Sequence, residues 1–285
     1  MKKVFSLLVA GMLAFSFTGC DEEDILSGTP SEEDMQPVAD NMNAEKGLMS
    51  AASYMNPYGL DEELSTKGAM VDGPTYDYDP VNKILSIDFT GVAGMGGEII
   101  VTYDSDPLAI PLTSIGAMAT MIDFVKDGST YNGTVVFSMT VGTTITMSVM
   151  TSDGEVISIN NGVASYTWSG NRSIAWLEGA LTPVDDTDDV YQLTGSSAGV
   201  SSTGTNYEST ILTAIILSND CDYIMYGSQE VVNNVNSDNE ATITMTFNVD
   251  ANGNLLGNPT CNSYFEMHYV SGIFDLTMVM DMDEM

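Results

Sequence analysis

Four closely spaced aspartates form the densest carboxylate cluster inside the chain: Asp185, Asp186, Asp188 and Asp189. Carboxylate oxygens are hard ligands of the kind that Ca²⁺ prefers, so a loop that carries them could hold this cation. The spacing does not follow the defined pattern of a calcium-binding loop, and runs of like charge are commonly solvated turns. We therefore expect a solvated acidic turn, with Ca²⁺ binding as the alternative, and no other cofactor.

Three aromatic residues surround one predicted hairpin: Tyr166, Trp168 and Trp176. Tyr166 and Trp168 are two positions apart, which places their side chains on the same face of a strand. If the rings are exposed, they form a platform that could stack on the sugar rings of a ligand. If they are buried, they are ordinary core aromatics, and the usual burial of large aromatic side chains favours this interpretation.

His268 is the only histidine of the chain, and it lies between Met267 and Tyr269 in a predicted strand. A serine or cysteine hydrolase would need it as a general base beside a nucleophile and an orienting group. We expect a strand residue with a hydrogen-bonded imidazole and predict no catalytic residue. The many Asp and Glu residues keep a glycan hydrolase with paired carboxylates as an alternative, although the spacing identifies no pair.

Three methionines alternate with other residues near the end of the chain: Met278, Met280 and Met282. Thioethers on one strand face could bind Cu(I), because soft ligands select this ion. The same alternation is typical of any half-buried strand, where methionine fills irregular gaps in a core. We therefore expect a strand that packs its methionines against the core.

Residues 1–19 have the three parts of a bacterial secretory signal. Lys2 and Lys3 begin it, an apolar run follows, and small residues stand directly before Cys20. A cysteine in this position resembles the lipobox of bacterial lipoproteins. We expect cleavage before Cys20 and attachment of diacyl and N-acyl (palmitate-type) chains to it, which together suffice for stable membrane anchoring.

Cys221 and Cys261 are the two cysteines that remain once Cys20 carries lipid. Two cysteines left in an exported protein usually pair, so we expect a disulfide between them. A bridge that closes a loop of about 40 residues stabilises a fold by roughly 3–4 kcal/mol on the chain-entropy model. A reactive thiol is the rival interpretation, but it lacks a neighbouring histidine.

Four acidic residues follow Cys20 directly: Asp21, Glu22, Glu23 and Asp24. Carboxylates are unfavourable beside anionic headgroups, so this block should direct the chain away from the membrane surface. It also resembles the acidic export signal of surface lipoproteins of the Bacteroidota. We expect an outer-membrane lipoprotein that is either exposed on the cell surface or faces the periplasm.

The chain has a formal charge of −33, and loss of Lys2 and Lys3 with the signal takes it to −35. Five cations remain in the mature chain: Lys46, Lys67, Lys83, Lys126 and Arg172. Such a charge repels a phosphate backbone, so nucleic-acid binding is excluded. It suits solubility, divalent cations or a cationic partner, and charge alone does not separate these.

A helix must precede a series of strands. Between Glu33 and Tyr54, one helix face carries the apolar residues Met35, Val38, Met42, Met49 and Ala52. After residue 81, runs rich in Thr, Val, Ile and Tyr alternate with Gly and Asn turns, which predicts antiparallel strands. We expect an all-β, antiparallel β-sandwich-like domain over residues 81–285, after a tether (20–33) and a segment with one short helix and irregular structure (34–80).

Short stretches of the chain resemble an uncharacterised group of secreted Bacteroidota lipoproteins. They are Ile87-Asp88-Phe89, Gly97-Glu98-Ile99-Ile100-Val101-Thr102, Trp168-Ser169-Gly170-Asn171-Arg172-Ser173 before Gly179, Val190-Tyr191-Gln192-Leu193-Thr194-Gly195, Ser197-Ala198-Gly199, and Cys221 leading into Gly227. This resemblance implies export and a β fold, and it implies no activity.

These features predict a membrane-anchored extracytoplasmic lipoprotein. Its β domain is expected to bind an extracellular ligand or protein partner and to have no enzymatic activity. An envelope glycan hydrolase that uses Asp and Glu is the alternative.

Overall fold

The computed structural model describes residues 30–55, 73–108, 113–141, 145–178, 189–218, 220–221 and 223–284. Helix α1 (Glu32–Tyr54) begins with a reciprocal capping box. The hydroxyl of Ser31 accepts a hydrogen bond from the backbone N–H of Asp34, and the carboxylate of Asp34 accepts one from the N–H of Ser31. These bonds satisfy backbone donors that the first helical turn leaves open.

Fourteen strands follow the helix within the described part of the chain. They are β1 (Thr75–Asp79), β2 (Ile84–Asp88), β3 (Met95–Tyr103), β4 (Ser114–Lys126), β5 (Ser129–Val141), β6 (Ile145–Met150), β7 (Ile157–Asn160), β8 (Ser165–Glu178), β9 (Val190–Val200), β10 (Asn206–Ser218), β11 (Tyr226–Asn233), β12 (Ala241–Phe247), β13 (Tyr264–Ser271) and β14 (Phe274–Asp281). Strands that follow each other in the chain also lie side by side in the sheet, except around β7. There, β6 is followed in the sheet by β8, and β7 pairs with β5 and β8.

Alternating side chains explain why these segments are strands. In β12 the alanine, isoleucine, methionine and phenylalanine are buried, whereas the three threonines between them are half-buried. This period of two matches a strand with one face on the core. Over the described residues, the prediction of an all-β antiparallel fold preceded by one helix is confirmed, and all fourteen strands belong to one sheet.

Strand β1 departs from the sequence-based prediction, which assigned irregular structure up to residue 80. Thr75–Asp79 instead pairs with β2 over its whole length. Alternating tyrosine and aspartate carry little strand signal by themselves, and the ladder with β2 supplies the hydrogen bonds that decide the conformation. Residues 56–72 of the same segment lie outside the described residues.

The described part of the chain divides into two compact units, one within residues 47–173 and a second that combines residues 30–46 with described residues of 174–284. We refer to them as the 47–173 unit and the 174–285 unit. The first contains the end of α1 and strands β1 to β7 with most of β8. The second contains the first part of α1 and strands β9 to β14 with the end of β8.

The core of the 47–173 unit is a row of aromatic rings under the end of α1. The ring centroids of Tyr54 and Phe89 are 5.0 Å apart, as are those of Phe89 and Phe124. A Cβ on Gly47 would lie 2.1 Å from Cζ of Tyr131, so only glycine allows the helix to approach this ring. The hydroxyl of Tyr103 donates to the carbonyl of Met55 at 3.0 Å.

Candidate functional site

A buried polar layer lies between α1 and the strands of the 174–285 unit. Asn41 is fully buried, and its amide nitrogen donates to Oγ of Ser209 (3.3 Å) and to Oε1 of Glu45 (3.0 Å). Its Oδ1 accepts a bond of 2.7 Å from Oγ of Ser197. Gln229 adds a bond of 2.7 Å from its amide nitrogen to Oγ of Ser209. A buried amide satisfied in this way fixes the position of the helix.

The adjacent Asp40 is also fully buried. Its Oδ2 accepts a bond of 2.6 Å from the backbone N–H of Ser202, and its Oδ1 accepts one of 2.9 Å from the amide of Gln36. Charge-assisted bonds of this length are strong, and they offset the cost of removing a carboxylate from water. Asp40 therefore holds α1 against the turn after β9.

The first turn of α1 is held by β11 and β13 of the same unit. The hydroxyl of Tyr269 donates to Oδ2 of Asp34 at 2.9 Å, and the amide of Asn233 donates to the backbone carbonyl of Asp34 at 2.5 Å. Burial, together with the bond to Asp34, raises the pKa of the Tyr269 phenol. These contacts place the beginning of the helix over the strands that lead to β14.

The apolar stripe of α1, from which the helix is predicted, does not point to this polar layer. The signal was nevertheless present, since Asp34, Asn41 and Glu45 are seven and four positions apart and share a helix face. A polar row beside an apolar stripe is usually solvent-exposed. Only the opposing Ser197 and Ser209 show that this row is internal.

The aspartate cluster falls mostly outside the described part of the chain, as Asp185, Asp186 and Asp188 all do. Asp189 is described and buried, and its carboxylate accepts a bond of 2.5 Å from the hydroxyl of Tyr191. In the described ranges, no group of three or more His, Cys, Asp or Glu residues is arranged to hold a metal ion. Cys20 also lies outside the described residues.

The structure agrees with the favoured interpretation of the three aromatic residues as core side chains, and they form no exposed platform. Tyr166, Trp168 and Trp176 are all buried, and Trp168 exposes only 1% of its surface. The ring of Trp176 packs edge-on against that of Tyr191, with centroids 5.1 Å apart. Rings enclosed in this way present no face to a sugar, so these residues are core aromatics in both units.

The two remaining predictions about side-chain pairing concern Cys221 and His268. Cys221 and Cys261 form a disulfide, with Cα atoms 5.5 Å apart. It joins the connection between β10 and β11 to the connection between β12 and β13.

His268 lies on β13, and its Nε2 is 2.8 Å from Oδ1 of Asp275 on β14. The imidazole is therefore hydrogen-bonded across two strands, as predicted.

Strand β14 combines features that no other described edge has. Among the described strands it pairs with β13 alone, in a register of eight residue pairs without a shift. Leu276, Met278 and Met280 lie opposite three buried residues of β13, namely Tyr269, Met267 and Phe265. They thus extend the core face of the sheet by one strand, but they are only half-buried. We call Leu276, Met278 and Met280 the edge row.

Proteins usually protect the edge of a sheet by shortening the strand, by placing Pro, Lys or bulges in it, or by inward-pointing charges. Phe274–Asp281 contains no Pro, Lys or Gly, and the edge row carries no charge. Strand β1 is different, since Thr75–Asp79 has five residues, exposes Asp77 and Asp79, and precedes Pro80. Strand β14 is therefore the less protected of these two edges.

The opposite face of β13 and β14 carries acidic groups. Asp275 is 75% exposed in its side chain, and Glu266 lies across from Val279. Hydrogen bonds from Ser263 and from the backbone N–H of Asp283 lower the pKa of Asp281, so this carboxylate is ionised at neutral pH. No Lys or Arg occurs in the sequence after Arg172. The face beside β14 therefore carries carboxylates and no Lys or Arg.

No protein-family model, curated protein or solved structure matches this chain. Across the residues with described structure, no helix is both long enough and apolar enough to cross a membrane.

Proposed function

We propose that the mature chain is a lipid-anchored extracytoplasmic protein that binds a partner protein and has no enzymatic role. It captures an extended segment of that partner as an additional strand beside β14. The observation that carries this proposal is the edge row of Leu276, Met278 and Met280, which continues the core face but is only half-buried. An added strand would complete the hydrogen-bond ladder and cover this row.

The anchor supports an outward-facing role for the domain. Lipid on Cys20 fixes one end of the mature chain, and the acidic residues 21–24 are disfavoured at an anionic membrane surface. Helix α1 begins at Glu32, so the intervening chain can reach at most about 40 Å when fully extended. We place the domain on the outer membrane within this distance, at the cell surface or, as the alternative, facing the periplasm.

Anchoring is tested with the substitution Cys20→Ala in the full-length chain. The variant loses the lipid attachment, and the protein is expected to leave the membrane fraction of the cells. A Cys221→Ser and Cys261→Ser variant, which keeps Cys20, is the matched control and should remain with the membrane. Retention of the Cys20→Ala protein in the membrane fraction would overturn the anchor.

Strand addition is tested with a library of random peptides displayed against the immobilised mature protein. Peptides that bind β14 should lose binding to Met278→Lys, which places a charge in the edge row, and should retain binding to Leu212→Lys. Leu212 is 54% exposed on β10, so this control adds the same charge away from the edge. Lysine can extend its charge to water at a half-buried site, so both variants should fold.

Hydrogen–deuterium exchange provides a readout that does not depend on a variant. A peptide bound as a strand should slow exchange of those β14 amides that point away from β13. The proposal fails if the library yields no peptide, or if every recovered peptide binds Met278→Lys as well as the wild type.

A further inference from the structure

We infer that the segment captured by β14 alternates apolar and basic side chains. This inference rests on the proposed function and adds the chemistry of the partner. It follows from the two faces that an added strand would meet, because successive residues of a strand point to opposite faces of the sheet.

The requirement for apolar side chains comes from the core face of β14. Leu276, Met278 and Met280 each have a buried neighbour on β13 and no described neighbour on the other side. An added strand would lie about 4.8 Å from β14, so its side chains on this face would contact the edge row directly. Apolar residues there would remove the half-buried surface from water.

The requirement for Lys or Arg side chains comes from the outer face of β13 and β14. Asp275 and Asp281 lie on β14 itself, and Glu266 is one strand further, about 10 Å from an added strand. Opposite charges at directly facing positions stabilise a strand pair, and Lys or Arg can also reach a second strand. The described residues of β13 and β14 include no Lys or Arg, and the imidazole of His268 is hydrogen-bonded to Asp275.

The same charges disfavour a second copy of this chain as the occupant. In an antiparallel pair of two β14 strands centred on Met278, Asp275 of one copy would face Asp281 of the other, at both ends of the pair. Like charges directly opposite each other destabilise such a pair. The segment after Arg172 provides no Lys or Arg that could compensate. A basic partner strand avoids this repulsion.

Three synthetic peptides, each as long as β14, test the inference against the mature protein. They alternate valine with lysine, with threonine or with glutamate. We expect the lysine peptide to bind at least about fivefold more tightly than the threonine peptide, and the glutamate peptide to bind most weakly. The preference for lysine should shrink at about 0.5 M salt, where charges are screened within about 4 Å.

Two double variants that remove negative charge test whether the preference for the lysine peptide comes from the outer face of β13 and β14. Glu266→Gln with Asp275→Asn should reduce the preference for lysine over threonine at least about twofold. Glu208→Gln with Asp238→Asn removes the same charge from β10 and from the turn after β11, and should leave the preference unchanged.

The outcomes separate this inference from the proposed function. If the lysine and threonine peptides bind equally and Met278→Lys abolishes both, the chemistry of the partner is wrong and strand addition stands. If none of the three peptides binds and the library also yields none, both proposals are overturned. A lysine preference that persists in Met278→Lys would show general attraction to an acidic protein and would overturn this inference.

Discussion

Met267 and Met278 lie directly opposite each other in the register of β13 and β14, yet Met267 is 3% exposed and Met278 is half-buried. The same side chain on the same face of the sheet thus meets two environments, because β14 has a described neighbour on one side only. The difference in exposure between the two methionines shows that the core face is left partly uncovered at this edge.

Substitution of each methionine by alanine should separate these environments. Met267→Ala leaves a cavity in the core and is expected to lower the free energy of unfolding by about 2–4 kcal/mol. Met278→Ala removes half-buried atoms that water can replace, so a loss of about 1 kcal/mol or less is expected. Urea unfolding of both variants measures the difference. Equal losses would show that Met278 is packed as fully as Met267.

The buried polar layer predicts a large effect of one amide. Asn41→Ala removes bonds to Ser197 and Ser209 and leaves their hydroxyls in a buried site, so we expect a loss of about 2–4 kcal/mol. Glu33→Ala, at an exposed position of the first helical turn, is the control and should cost about 0.5 kcal/mol. Both values are measured by chemical denaturation. If Asn41→Ala lowered the free energy of unfolding no more than Glu33→Ala does, the stabilising role of the polar layer would be contradicted.

The disulfide predicts both a chemical and a thermodynamic result. Cys221 and Cys261 are separated by 40 positions, and a bridge of this span contributes roughly 3–4 kcal/mol on the chain-entropy model. The double variant Cys221→Ser with Cys261→Ser should lose this amount, as measured by urea unfolding. Thiol titration of the folded wild type should detect no free thiol at these two positions, and two free thiols would refute the bridge.

Tyr78 predicts a change in stability at alkaline pH. Burial and the hydrogen bond to Asp106 raise its pKa from 10.0 to about 12. Because the folded protein holds this proton more tightly than the unfolded chain does, the stabilisation is fully present below pH 10 and is lost as the pH rises through 12. NMR titration of tyrosine ring carbons measures the pKa directly.

Asp106→Asn isolates the contribution of the carboxylate to that pKa. The amide cannot repel the phenolate, so the pKa of Tyr78 should fall towards 10.0 in this variant. Tyr103 is the internal reference, since burial is the main cause of its raised pKa and this is unchanged by the substitution. A Tyr78 pKa that stays near 12 in Asp106→Asn would assign the whole shift to burial.

Local patterns were sufficient to predict the fold class. Alternation in segments such as Ala241–Phe247 shows which residues face the core, and Gly or Asn turns separate the strands. The disulfide was predicted from the two cysteines that remain in a chain expected to be exported. The stripe on α1 predicted the helix to within two residues of its observed start at Glu32.

Other features depend on the order of strands in space and were not accessible to local reasoning. Alternation in Phe274–Asp281 predicts a half-buried strand, but only the sheet order shows that this strand lies at an edge. Tyr166 and Trp168 share a face in either interpretation, and packing alone decides that they are buried. Asn41 looks like a solvent-exposed helix residue until Ser197 is placed opposite it.

The distribution of cations has a consequence for proteolysis. Trypsin cleaves only after Lys or Arg, and the last such residue of the chain is Arg172. Everything from Ser173 to Met285 therefore contains no tryptic site, whether the segment is folded or unfolded. Resistance of this segment to trypsin-type enzymes is built into its covalent structure and needs no thermodynamic stability. In an environment rich in such enzymes, the part of the protein that carries β14 would persist as one intact fragment.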